Sequence, residues 1–373
     1  MKTYSLAPVD AWFFRDGRPY NEKEANQADV VSVFPPPART LSGALRAALA
    51  RANGWTGRGS WPQPLNRAFG SGPEELGGLQ FTGPFLILND EALWPLPRHV
   101  LGSVGGGENW EPRALLRPAE APTACDAGDI RLPEIVATKG TRPDGLKNAE
   151  TAWITAKGLG ALLAGELPEA RSIVQVKKLW AHEARVGLHR DEKTLVTGEG
   201  ALYSPSYVRL RRGVALGVGV AGVPEGMAHV PDIFPLGGES RLACCEAWNH
   251  DAIPSPPSRE KFAAEEGRVA FIVVMLTPGR FENGALKLPL PGAKIISACV
   301  GKPQFIGGWD SLKREPLPLE PFAPAGAVWF CAATREDFDD IYRRHGRQMG
   351  AHTAHGFGQI AIGLWPPTPA NNL

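Results

Sequence analysis

Short apolar segments, several alternating with polar residues at a period of two, recur along this chain between glycine- and proline-rich stretches, and the spacing turns helical in three places. In "TLSGALRAALARANG", Leu41, Leu45, Ala48, Leu49 and Ala52 fall on one helical face. Thr40 or Ser42 is placed to cap that helix and Gly54 to end it, while Arg46 and Arg51 fall off the apolar face. "TAWITAKGLGALLAGEL" predicts a second helix, weakened by its glycines. "TREDFDDIYRRHG" predicts a third, with Thr334 as cap and Phe338, Ile341, Tyr342 and His345 as its inner stripe. Glu336 and Asp337 sit at its positive end, Arg343 and Arg344 at its negative end.

The period-two segments read as strands. "TYSLAPVDAWFF" opens the chain, interrupted at Pro8, and "LQFTGPFLIL" follows the first helix. "GVALGVGVAGV", "RVAFIVVML", "AKIISACVG", "GAVWFCA" and "FGQIAIGLW" supply strands in the C-terminal half. From Ser172 to Gly213 the pattern predicts strands around a protruding hairpin with its tip near residues 189–193. Many strands with few helices imply an α+β fold, not a parallel sheet with regular crossovers. No strong repeat by residue identity is visible, although the two halves can still share a fold.

Composition adjusts this picture in four ways. The 373 residues suffice for two or three domains, and an apolar content of 43% suffices for their cores. The 43 glycines and 35 prolines predict long irregular connections, with residues 55–150 the most irregular stretch. With 40 basic against 39 acidic residues, any polyanion must meet a local patch. The five cysteines are odd in number and form no C-x-x-C, which argues against a disulfide framework or zinc site and fits a reducing cytoplasm. The N-terminus lacks a signal-peptide core, and no window of 18 apolar residues predicts a membrane span.

Four stretches carry candidate chemistry. In "FFRDGRP", Arg15 and Arg18 present rigid forks that match phosphate around Gly17; a surface hairpin with solvated arginines would read the same way. In "FPPPARTLSGALR", a proline-fixed helix start offers free amides to an anion, with Arg39 and Arg46 adding charge; ordinary helix initiation is the plainer reading. In "EARVGLHRDEKTLVTGEGALYSPSYVRLRRG", Arg185, His189, Arg190, Lys193, Arg209, Arg211 and Arg212 can track a phosphodiester backbone, with Tyr203 and Tyr207 available for stacking. In "HTAHGFGQIAIG", Gly356 and Gly358 flank Phe357 and bring amides close to phosphate or sugar, unless the loop only starts a strand. His352 and His355 have no carboxylate or thiol neighbour in sequence, so no metal site is expected. "HEARVGLH" is not H-E-x-x-H, and neither a phosphate-binding G-x-x-x-x-G-K-[ST] nor a G-x-S-x-G occurs. No catalytic constellation and no cofactor site follow from the residues.

Taken in order, "LAPVDAWFFRDGRPY", "FPPPARTLSGALRAAL", "ARVGLHRDEKTLVTGEGALYSPSYVRL", "PLGGESRLA", "IGGWDSLKREPLPLEPFAPAGAVWF" and "GFGQIAIG" resemble one family. It is the third subunit of the Cmr complex, the type III-B CRISPR effector, in the repeat-associated mysterious protein (RAMP) superfamily. The resemblance implies two ferredoxin-like, RRM-related domains with long insertions, facing each other across a cleft. Residues 1–175, with the Gly/Pro-rich insertion at about 55–150, would form the first; residues 176–373, hairpin included, the second. It further implies a cytoplasmic, non-catalytic antiviral subunit that holds the 5′ handle of the CRISPR guide RNA. Its partners would be the large polymerase-type subunit and the adjacent backbone RAMP subunit. The residues expected at RNA are Arg15, Arg18, Arg39, Arg46, Arg185, His189, Arg190, Arg209, Arg211, Gly356, Phe357 and Gly358. Two other readings compete. One is a RAMP endonuclease that processes precursor guide RNA with a histidine acid and base drawn from His182, His189, His352 and His355. The other is a subunit that contacts only protein.

Overall fold

The computed structural model describes residues 1–15, 29–105, 109–125, 128–135, 145–188, 196, 202–262, 264–265, 267–282, 284 and 287–367. The strands used below are β1 (Lys2–Pro8), β2 (Gln80–Leu88), β3 (Ala152–Thr155), β4 (Trp180–Ala184), β5 (Leu202–Leu210), β6 (Val214–Ala221), β7 (Leu242–Ala247), β8 (Arg268–Met275), β9 (Lys294–Cys299), β10 (Val328–Ala333) and β11 (Ile360–Gly363). The helices are α1 (Ala38–Ala52), α2 (Gln63–Phe69), α3 (Ala156–Leu163) and α4 (Arg335–Tyr342). The fold is α+β, and its sheets are mostly antiparallel.

The chain forms two compact units, each assembled from three segments. The first comprises Met1–Asn89, Lys177–Asn249 and Ile306–Glu320. Its main sheet runs β2-β6-β1-β7, with every neighbouring pair antiparallel. Counted along the chain, that order is 2-3-1-4 with α1 between the first two strands, which is ferredoxin-like. Register follows the apolar pattern: Leu6 lies beside Leu216 and Cys245, and Leu216 beside Leu86. All four are buried, as a two-residue side-chain period requires of one sheet face. A second, smaller sheet pairs β4 with β5.

The second unit comprises Asp90–Val176, His250–Phe305 and the chain from Pro321 on. Its sheet runs β9-β10-β8-β11, again 2-3-1-4 and antiparallel throughout, with α4 between the third and fourth strands. Phe271, Val273 and Met275 of β8, Trp329 and Cys331 of β10 and Ile360 and Ile362 of β11 share one core with Phe338 and Ile341 of α4. Both halves therefore build the same strand order, each on its own core.

Helix boundaries differ from the sequence expectation in three places. α1 begins at Ala38 with Pro37 as its N-cap and no side-chain cap, so neither Thr40 nor Ser42 serves. The fixed φ of Pro37 sets up the first turn: its carbonyl accepts from the Thr40 amide at 2.9 Å, and the Ser42 hydroxyl donates to the Arg39 carbonyl. The predicted second helix starts late, because "AWIT" pairs as β3 before Thr155 caps α3. α4 is capped as its pattern predicts, the Thr334 hydroxyl accepting from the Asp337 amide at 3.2 Å, but it ends at Tyr342, so His345 of the expected inner stripe lies beyond it. Among the described residues no helix is long and apolar enough to cross a membrane. Cys244, Cys245, Cys299 and Cys331 carry free thiols.

Candidate nucleic-acid interface

The aromatic run after β1 is an anchor. Trp12 pairs with Val208 of β5 through two backbone hydrogen bonds of 2.9 and 2.7 Å, and its indole donates to the Leu242 carbonyl at 3.3 Å. Trp12, Phe13 and Phe14 are all buried. A two-glycine turn closes over them: the Gly238 amide donates to the Phe13 carbonyl at 2.8 Å. Gly237 has φ +88°, and a Cβ there would stand 2.6 Å from the same carbonyl, so this position requires glycine. Arg15 leaves this anchor exposed to solvent.

Beside the anchor, charges from four segments converge. Glu183 and Arg185 lie two residues apart, on the same side of the extended chain, and Glu183 pairs across to Tyr207 of β5. Arg185 donates to Asp10 at 2.8 Å and to Glu183 at 2.8 Å. Arg209 donates to Asp10 at 2.9 Å and forms a short bond to Glu183. Arg241, at the end of the two-glycine turn, adds a 3.5 Å pair with Asp10. The guanidiniums of Arg185 and Arg241 lie over the Tyr207 ring, 4.9 and 4.4 Å from its centre. Phe13 supports that ring at 5.5 Å.

Three guanidiniums meet two carboxylates, leaving one positive charge in surplus. The Arg209 and Arg185 hydrogen bonds hold the Glu183 carboxyl down at about 2, and those of Arg185 and Arg209 lower Asp10 as well. Arg185 is raised chiefly by Asp10, and Arg209 chiefly by Glu183. The five side chains are 24–44% exposed, so water screens the pairs. The lattice therefore acts by fixing the orientation of its forks more than by stabilising the fold. The Nη1 amine of Arg185 has no acceptor among the described residues, and neither does the buried Nε of Arg241.

The remaining predicted residues scatter. Arg209 and Arg185 join the lattice, while Arg211 is exposed one residue beyond β5. Arg39 is buried and pairs with Glu74 at 2.8 Å and Glu320 at 3.5 Å. Arg46, off the apolar face by periodicity, is nonetheless buried and donates to the carbonyls of Phe69, Gly70, Gly72 and Glu75. Burial lowers its pKa, but the four carbonyls and Trp61, 5.3 Å away, accommodate the charge. Phe357 is fully buried against Phe322 at 4.8 Å. The amides of Gly356, Gly358 and Gln359 are taken by Thr353, Pro278 and Thr277, so that loop spends its donors internally. Tyr207 differs from expectation too: at 5% exposure and under two guanidiniums, it carries arginines instead of a base. Arg18, His189, Arg190, the hairpin tip and the side chain of Tyr203 lie outside the described residues. Among the described residues no cluster of three or more metal-ligating side chains occurs.

Sequence reasoning on charge alone missed Asp10, Glu183 and Arg241 as members of the site. The signal for Glu183 was its two-residue spacing from Arg185. Asp10 and Arg241 become neighbours only through the fold.

The family model described as CRISPR-associated protein (Cas_Cmr3) matches residues 4–365. No curated protein matches the chain. Among solved structures, one similar chain occurs in the cryo-EM structure of the Type III-B Cmr-beta bound to cognate target RNA and AMPPnP, state 1. It shares 18% identity over 92% of this chain and 89% of that chain, with a TM-score of 0.47. Another, in the Type III-B Cmr-beta bound to cognate target RNA, shares 17% identity over 92% and 89%, with a TM-score of 0.48. A third, in the crystal structure of the Csm3-Csm4 subcomplex of the type III-A CRISPR-Cas interference complex, shares 11% identity over 88% and 92%, with a TM-score of 0.37.

Proposed function

The chain belongs to the Cas_Cmr3 family of CRISPR-associated proteins, and from that premise we propose that it is the third, non-catalytic subunit of a type III-B Cmr effector, holding the repeat-derived 5′ handle of the guide RNA. Its partners on this reading are the guide, the large polymerase-type subunit and the adjacent backbone RAMP subunit.

The observation that carries the reading is the lattice of Arg185, Arg209 and Arg241 around Tyr207. Its carboxylates hold the forks still without neutralising them. A fixed guanidinium loses little freedom when it meets a phosphate, and Arg185 keeps its Nη1 amine for that contact. Exposed Arg15 leaves the same anchor and adds a further cation. A handle is the same in every guide of a system, so many phosphate contacts with modest base reading suffice. Neighbouring subunits have an apolar face to meet on the hairpin at 306–320, where Trp309, Leu312 and Leu319 are exposed.

The test is fluorescence anisotropy of a labelled handle RNA with the full-length chain. Wild-type affinity falls as salt rises, and Arg185→Ala and Arg209→Ala each weaken binding about tenfold, the worth of one charge-assisted hydrogen bond. Unchanged affinity in both variants would overturn the reading. In parallel, repeat RNA incubated with the protein without metal stays intact; specific cuts abolished by His189→Ala or His355→Ala would establish the endonuclease in its place.

A further inference from the structure

From Ala38 to Pro73 the chain carries five arginines and two tryptophans but no Asp or Glu. Two of those arginines, Arg39 and Arg46, are buried and engaged. Arg51, Arg58 and Arg67 are exposed, and no carboxylate pairs with them among the described residues. The loop after α1 arranges aromatic faces among these cations. The Arg51 guanidinium lies over Trp55 at 5.3 Å, Trp55 meets Trp61 edge-on at 5.9 Å, and Arg46 lies over Trp61 at 5.3 Å. The Trp55 indole donates to the Arg58 carbonyl at 3.1 Å. Asn53 ties the loop base to Ala228 through bonds of 3.2 and 2.9 Å. Gly57, at φ +86°, takes the left-handed turn that favours glycine and lies beside the Arg51 guanidinium.

We propose that this surface, centred on Arg51, Trp55, Arg58 and Arg67, is a second binding site for single-stranded RNA, made of residues separate from the arginine lattice. The proposal rests on the reading of this chain as an RNA-binding subunit. Three cations without counter-charges attract a polyanion. An acidic protein surface would satisfy charge alone. Half-buried indoles, one of them with the Arg51 guanidinium over its ring, also offer stacking faces, which unpaired bases use and acidic side chains do not. Such stacking tolerates any sequence, so the site suits the variable part of a guide or its target.

The test uses the full-length chain with Arg51→Gln, Arg58→Gln and Arg67→Gln combined. All three residues are exposed, so the unfolding midpoint should not change. Binding is followed across salt with two labelled RNAs, the handle and a scrambled single strand. The slope of log affinity against log salt should shrink by about 2 on both, at roughly 0.7 for each phosphate that is no longer neutralised. The wild-type preference for the handle over the scrambled strand should persist in the variant. Slopes equal to wild type on both RNAs would overturn the site. So would normal RNA binding combined with failed assembly onto the other subunits, which would assign the surface to a protein. A wild-type chain without handle preference, but with the variant slope reduced, would overturn the handle reading and uphold this one.

Discussion

His99 has a fully buried ring, and neither of its nitrogens has a hydrogen-bond partner among the described residues. It packs edge-on against Phe330 at 6.1 Å, and burial pushes its pKa down to about 3. The folded chain therefore holds it neutral, while the unfolded chain takes up a proton below about 6.5. Stability is complete above that value and declines as pH falls from there toward 3. At pH 5 the penalty is about 2 kcal/mol. His99→Leu should remove that part of the slope: it should unfold at higher urea than wild type at pH 5, with the gain gone by pH 7.5. An unchanged pH slope would mean that the ring finds a proton acceptor. Nothing in "LPRHVLG" marks this histidine, because its isolation comes from what the fold places around it. Glu183, by contrast, was missed although its spacing to Arg185 carries a signal, while Arg185 itself was legible from charge. Arg46 was legible as a cation but not as a buried one.

At the scale of elements, Arg46 ties α1 to the turn that follows α2. Its three nitrogens reach four carbonyls between Phe69 and Glu75, a stretch closed by Gly70, where a Cβ would meet the Glu75 carbonyl at 1.8 Å. Arg46→Leu leaves those acceptors without donors in a buried setting. The expected loss is about 3 kcal/mol, read from urea unfolding, with α1 itself intact by circular dichroism. A loss below about 1 kcal/mol would mean that water replaces the guanidinium. Element type was legible wherever a period ran long enough. α4 was readable down to its cap because Thr334, Glu336 and Asp337 act within one turn. The start of α1 was not, since a proline carbonyl did what a hydroxyl was expected to do. "AWIT" was absorbed into a helix because so short a segment fits either period, and pairing with Ile173–Gln175 on one side and Leu93–Pro95 on the other makes it a strand.

At the scale of the whole molecule, the same antiparallel 2-3-1-4 sheet is built twice from strands without evident repeat. Each unit keeps a helix at a different place, α1 in one and α4 in the other. That asymmetry, together with the interleaving of three segments per unit, hides the duplication from any reading of residue identity. Strand count and composition could give α+β; the ferredoxin-like order came from the motifs that carry the family resemblance. The same motifs brought Arg185, Arg209 and the two-glycine turn to notice, and the fold joins them at Tyr207. The measurement that tests the central claim most directly is photo-crosslinking from handle nucleotides of the guide within the assembled effector, with the crosslinked peptides of this chain identified by mass spectrometry. The account predicts crosslinks on the peptides carrying Arg185, Arg209 and Arg241. Handle crosslinks confined to other subunits would contradict it.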